Sequence, residues 1–375
     1  MQQSSFAQSH PKRCDTLPCL GSVLRRKSTK TLIWGIVLLL LFCNQLSPKN
    51  FETQEEISSS RTLRHHLSVY LETTSGPEGL LVSSKTVPSF QLWIFLPEED
   101  TISKTIFENG VYEAYETIFL QQVVANSSCE STALHRCWAV DIGANVGFHS
   151  LHMAALGMHT IAFEPSPDTS ILLRQSVQQN GFDRQHSKND QGRVHVIAAA
   201  AADKPGRGRL LRHPDSPGMT ILQRIEGASP STSPFPFGVE NVVGNDIPLV
   251  QPTSVFQDLI TADNDNLLLL KVDAEGYELH ALRGIDLDRY PFQYVMFEFF
   301  PELLWKAGGT DPLELLLYIQ SFGYTCGTKP LTLWEESSSR LMSTTEQVHA
   351  WYNQTIIPAY KKSTTFHLNL YCKRK

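Results

Sequence analysis

The chain has 375 residues, with 38 acidic against 32 basic side chains and a formal charge of −6; 41% of residues are hydrophobic and 19% charged. That composition excludes disordered, fibrous and multi-spanning membrane classes. The acidic balance argues against a dedicated nucleic-acid binder, so no nucleic acid is expected as a partner.

Taken in chain order, residues 1–30 form a basic tail, with Lys12, Arg13, Arg25, Arg26, Lys27 and Lys30 against the single acid Asp15. An apolar run follows over residues 31–46, short of the roughly 20 residues that cross a bilayer core comfortably. Glu52, Glu55 and Glu56 lie beyond it. The charge asymmetry predicts a single-pass signal anchor with the tail cytosolic and the rest lumenal, a type II arrangement. A short span suits the thin early-secretory membranes of the endoplasmic reticulum or Golgi. A cleaved signal peptide lacks a small-x-small site after the run, and an organelle-targeting segment is the other alternative.

Residues 47–88 are polar, are broken by Gly76-Pro77 and Pro88, and read as a stalk. Residues 89–375 read as one catalytic domain with its motif core at 138–301. In an oxidising lumen Cys129, Cys137, Cys326 and Cys372 allow three pairings. A small Cys129–Cys137 loop and free buried thiols both stay open. The sequons at Asn126 and Asn353 are expected to carry glycans in that compartment.

Within the domain the pattern predicts strands at 138–141, 160–163, 194–199, 267–273, 293–298 and 365–371. Helices are expected at 146–156, from Pro167 to Asn180, at 275–283 and at 311–323, with a capping box Ser343-x-x-Glu346 opening a late one. Strands alternating with helices predict an α/β fold with a doubly wound, largely parallel sheet. Residues 204–252, rich in Pro, Gly and Ser, break the rhythm and read as an insertion near the site or a lid.

Three motifs carry the chemistry. Val140-Asp-Ile-Gly-Ala-Asn-Val-Gly147 delivers a strand into a glycine turn, where Gly143 and Gly147 let backbone approach a ligand at a helix N-terminus. It is not Gly-x-Gly-x-x-Gly, and Asp141 before the turn suits a cationic amino-acid ligand better than a diphosphate. Glu164, 21 residues after Gly143 in Ala162-Phe-Glu-Pro-Ser-Pro167, is placed to accept from both ribose hydroxyls of a nucleoside. The third motif is Leu270-Lys-Val-Asp-Ala-Glu-Gly-Tyr-Glu278. It sets Lys271, Asp273 and Glu275 at the end of the fourth strand, beside the switch point where open α/β sheets bind ligands.

In this order and spacing the three motifs resemble the FkbM family of S-adenosylmethionine-dependent methyltransferases. The resemblance implies a class I (Rossmann-like) sheet of seven strands with a reversed last hairpin. It also implies S-adenosyl-L-methionine (SAM) as cofactor, and O-methylation of a hydroxyl on a glycan or small molecule. By position, Asp141, Gly143, Asn145 and Gly147 would line the methionine end of SAM, Glu164 would hold the ribose, and Asp203 would flank the adenine. Ser254-Val-Phe-Gln-Asp258 departs from the family's Thr-Leu-Asp run.

Methyl transfer to a hydroxyl requires removal of its proton, and a carboxylate with a raised pKa is a suitable base. Asp273 and Glu275 are the expected catalytic pair, close enough to raise one another. Glu298, ending the fifth strand, is a third candidate. The competing reading is that Glu275 caps the following helix and that Lys271 pairs with an acid. His149 and His152 lack a Cys/His cluster or a His-Glu-x-x-His run, so no metal is expected. The other functional readings are an NAD-dependent oxidoreductase on a similar sheet and an inactive, membrane-tethered binding domain. The oligomeric state is not legible from the sequence.

Overall fold

The computed structural model describes residues 77–127, 136–183, 192–213, 216–225, 241–260, 265–331 and 341–375. The expected anchor at 31–46 and most of the stalk lie outside these. Among the described residues no helix is long and apolar enough to cross a membrane. The described residues reach back into the stretch read as stalk: β1 (Leu80–Ser83) pairs antiparallel with β2 (Gln91–Ile94). The helices α1 (Thr101–Asn109) and α2 (Ala114–Asn126) come next.

The central sheet is built on β3 (Cys137–Ile142), β4 (His159–Phe163), β5 (Arg193–Ile197), β10 (Asn266–Val272) and β11 (Tyr294–Phe299), all parallel. Every residue of β3 is buried, as expected of a strand covered on both faces. β12 (Tyr324–Gly327), β13 (Leu341–Met342) and β14 (Leu368–Arg374) complete the order β13-β12-β14-β11-β10-β3-β4-β5. β14 runs antiparallel to both neighbours, which is the reversed hairpin of a class I methyltransferase-like sheet. β13 adds an eighth strand at the edge.

Local chemistry explains the helices between them. α3 (Phe148–Ala155) follows the glycine turn, and α4 (Pro167–Asn180) opens on Ser166 with Pro167 in its first turn and stops at Gly181. α6 (Glu278–Arg283) starts three residues later than expected. Glu275 and Gly276 have φ of 50° and 94°, and this left-handed pair cannot begin a right-handed helix. Glu278, not Glu275, caps the turn: its Oε1 accepts from the N–H groups of Ala274 and Gly276. The late helix α9 (Thr345–Trp351) does have a capping box, shifted by one residue to Thr344 and Gln347.

The stretch 204–252 is not simply a connecting loop. Its strands β7 (Gly206–His213), β8 (Ser216–Arg224) and β9 (Asn241–Val250) join the short β6 (Ala200–Ala201) in a second sheet ordered β6-β9-β7-β8. Leu210, Leu222, Ile247 and Leu249 form its buried face together with Tyr277. The alternation that would have marked these strands is broken by Gly206 and Gly208 and by Leu210 and Leu211, adjacent residues that are both buried.

Cys326 and Cys372 face one another across β12 and β14 and form a disulfide. Cys137 is also disulfide-bonded, with its partner outside the described residues.

Candidate active site

An open cleft lies over the C-terminal ends of β3, β4 and β10, where open α/β sheets bind their ligands. The turn after β3 forms its floor. Gly143 (φ 78°) and Asn145 (φ 53°) are left-handed, and both line the cavity. A Cβ on Gly143 would stand 1.7 Å from the carbonyl oxygen of Asp273, so this glycine lets the ends of β3 and β10 close on each other. Gly147 is not on the wall. A Cβ there would meet Leu173 of α4, so its freedom serves helix packing.

Glu164 lines the cavity from the end of β4. Its two oxygens accept from the backbone N–H groups of Asn145 and Ser166, each at 2.8 Å. Burial raises its carboxyl to about 7, against the pull of those two donors. Each oxygen retains a second lone pair for a ligand hydroxyl.

Asp141 is fully buried and does not reach the wall. It accepts from Ser150 Oγ at 2.6 Å and lies 3.5 Å from the Lys271 ammonium, which also meets Asp273 at 3.1 Å. Burial opposes the charge on Lys271, but the two aspartates outweigh it and hold the ammonium above its usual range. Lys271 and Asp141 are register partners on adjacent strands, so the sheet itself sets this pair. Asp203 is also off the wall, bound to Arg224 of β8 at 2.5 Å, while Arg224 also donates to the Tyr277 hydroxyl. Adjacent Ala199, Ala200 and Ala201 line the cavity instead.

At the opposite end of the cavity Asp273 and Glu275 face inward. One carboxylate oxygen of each and one of Glu298 lie within 4.8 Å of one another. Burial, then neighbouring acids, raise both Glu275 and Glu298 well above the carboxylate range. Tyr112 and His149 face the same space, and His149 Nε2 lies 2.8 Å from Glu113. Tyr112 and Glu113 were invisible to motif reading. The one local signal is the left-handed backbone of Glu113 (φ 47°), which no sequence pattern announces. His152 is a core residue: burial lowers it to about 3 and neither ring nitrogen has a partner.

A model of the methyltransferase FkbM domain matches residues 141–326. Residues 141–326 carry an FkbM methyltransferase domain. The matched stretch runs from Asp141, near the end of β3, to Cys326 in β12, and holds the second sheet and every cavity-lining residue except Ile102 and Tyr112. This FkbM domain is similar to methyltransferase sdnD of Sordaria araneosa, with 25% identity over 205 residues, 50% of this chain and 73% of the relative. Among solved structures it aligns with the plantazolicin methyltransferase BpumL in complex with S-adenosylhomocysteine (SAH). That match has 9% identity over 73% of this chain and 88% of the other, with a TM-score of 0.31. It also aligns with the human methyltransferase 10 domain containing protein, with 13% identity over 56% and 71% of the two chains and a TM-score of 0.29.

The FkbM domain is that of a SAM-dependent methyltransferase, with SAM rather than NAD as cofactor. The cavity suits that group. It offers a buried acid with free lone pairs at one end, small apolar side chains beside it, and carboxylates at the other end for a cationic sulfur.

Proposed function

We propose that the domain O-methylates an uncharged hydroxyl of a glycan or small molecule, with Asp273 and Glu275 as the groups that receive and orient the acceptor. The single observation behind this reading is the acidic end of the cavity. Asp273 and Glu275 line it, Glu298 and Glu113 stand behind it, and the nearest ammonium, Lys271, is committed to Asp141 and Asp273. Such a wall repels phosphate, sulfate and carboxylate groups and accepts neutral polyols. In the same reading the turn at 143–145 would face the methionine end of SAM and Glu164 the ribose hydroxyls. Ala199, Ala200 and Ala201 would lie along the adenine. Asp141, Gly147 and Asp203 would then act one step back, holding Lys271, α4 and Arg224 in place.

When bound, SAM supplies an electrophilic methyl group on a positively charged sulfur. The chain's own contribution is to hold the acceptor oxygen in line, keep anions out and take up the hydroxyl proton. The disulfide-bonded Cys326, Cys372 and Cys137 support a lumenal, oxidising location, and the exposed sequon residues Asn126 and Asn353 are compatible with it. A type II signal anchor at 31–46 would supply that topology.

The test is transfer of tritium-labelled methyl from SAM to a panel of neutral, anionic and amine-bearing acceptors. Neutral hydroxyl acceptors should become labelled, with methyl ethers as products. Asp273→Asn or Glu275→Gln should cut turnover by about 10²–10⁴ while SAM affinity stays within a few fold. Label recovered on nitrogen or carboxylate would overturn the O-methyltransferase reading. SAM binding without transfer to any acceptor would favour the inactive binding domain.

A further inference from the structure

Glu298, the penultimate residue of β11, lies off the cavity wall beside Glu275 and Asp273. The three carboxyl groups are within 4.8 Å of one another, and Glu298 Oε2 is buried with no hydrogen-bond partner. The charged and titratable groups around them come from five places in the fold. Lys271 on β10 is shared between Asp273 and Asp141. Glu278 of α6 is tied to the N–H groups of Ala274 and Gly276. Glu113 pairs with His149 of α3, and the half-buried Tyr112 phenol lies beside the acids. Among the described residues this leaves neither Glu275 nor Glu298 with a hydrogen-bonded cation. The turn holds Glu275 in a left-handed conformation that a residue with a side chain adopts at a cost, and such strain concentrates at working sites.

We infer that Glu275 and Glu298 hold one proton between them in the free domain and release it when a sulfonium binds beside them. Glu298 is thus a positioning residue that acts through Glu275. Two half-buried carboxyls this close, with Asp273 as a third, do not both ionise near neutrality. The raised ionisation of both groups, caused first by burial and then by the neighbouring acids, agrees with that geometry. A positive charge arriving at the wall shifts the balance, and the pair becomes fully ionised. During transfer the C–S bond breaks with its electron pair left on sulfur, the C–O bond forms, and the acceptor's hydroxyl proton passes to Glu275. The sulfur is then neutral and the pair has its proton back, so charge balances at each stage.

This inference rests on the O-methylation reading, and its test separates the two. Calorimetric binding of SAM and of SAH to the full chain, each in two buffers of different ionisation enthalpy, counts the protons released. The two ligands share the ribose and amino-acid groups, so Glu164 contributes equally to both counts, and only the sulfonium differs. Near neutral pH, SAM should release more protons than SAH, by up to about one. Glu298→Gln should abolish the difference while leaving SAM affinity within a few fold, and Glu298→Asp should restore it. Equal release in the unmodified chain, which needs no variant to fold, overturns the inference. So does a difference that persists in Glu298→Gln, or a stoichiometric Mn²⁺ site that depends on Glu298, because a divalent ion would keep all three acids ionised. Failure of the O-methylation reading would look different. The SAM–SAH difference would remain, but the transferred label would be recovered on nitrogen or carboxylate rather than as a methyl ether.

Discussion

The backbone N–H of Asn145 donates to Oε2 of Glu164 at 2.8 Å, which makes the glycine turn after β3 and the acid ending β4 one hydrogen-bonded unit. Ser166 N–H holds the other oxygen. Glu164→Ala therefore removes the expected ribose acceptor and also leaves two backbone donors unpaired. At about 1–3 kcal/mol for each group so stranded, less what water recovers, the domain should lose roughly 2–4 kcal/mol of stability. SAM should bind tens to hundreds of fold more weakly. Glu164→Gln keeps one acceptor and should fall between. Calorimetry and urea denaturation separate the two losses, and unchanged SAM affinity in a folded variant would remove the ribose assignment.

Ionisation gives a second prediction. Burial raises Glu164 and Glu278 from 4.5 to about 7. The folded domain thus binds more protons than the unfolded chain between about pH 4.5 and 7, so this contribution to stability is full below 4.5 and is lost as pH rises through 7. SAM affinity should run the opposite way, increasing up to about pH 7 as Glu164 becomes the ionised acceptor. Denaturant midpoints and SAM titrations across this range check both slopes, and Glu164→Gln should reduce the second, leaving the part owed to the Glu275–Glu298 proton.

The two turn glycines should differ in what they tolerate. A Cβ on Gly143 meets backbone, the Asp273 carbonyl at 1.7 Å, whereas one on Gly147 meets a leucine side chain, Leu173, at 2.2 Å. Both also carry positive φ, which costs an alanine about 1–2 kcal/mol. Gly147→Ala should cost a few kcal/mol after Leu173 moves, within the usual range for overpacking. Gly143→Ala should cost more and should disturb β3 and β10 together, because no side chain there can yield. Equal destabilisation by the two in urea denaturation would contradict this placement.

The Cys326–Cys372 bond links residues 46 apart and ties the reversed strand to its neighbour. Its loss in a Cys326→Ala/Cys372→Ala double variant should lower stability by about 2–4 kcal/mol, and reductant should reproduce the effect in the unmodified chain. Translation with microsomes should give a chain that gains endoglycosidase-sensitive mass at Asn126 or Asn353 and resists added protease beyond the stalk. An unglycosylated chain with free thiols would put the domain on the reducing side of the membrane.

Sequence alone determined the parts whose physics is local. Ser166-Pro167 and Gly181 bound α4 because a first-turn proline and a left-handed glycine act within one helical turn. The apolar runs of β3, β10 and β11 announce strands buried on both faces, and the order of the three motifs points to the FkbM family and its reversed strand. Other features needed the chain folded, because they depend on contacts between distant residues. The strands of the second sheet pair across residues that show no clean alternation, so only their packing on Ala200, Ala202 and Tyr277 defines them. Asp141, Gly147 and Asp203 are ligand contacts by what the family resemblance implies. Tertiary packing gives them other partners: Lys271 from the neighbouring strand, Leu173 from α4 and Arg224 from the second sheet. The acidic end of the cavity is assembled from residues between Tyr112 and Glu298. Its ionisation depends on burial and on the few ångströms separating side chains far apart in the chain, and no local pattern encodes either.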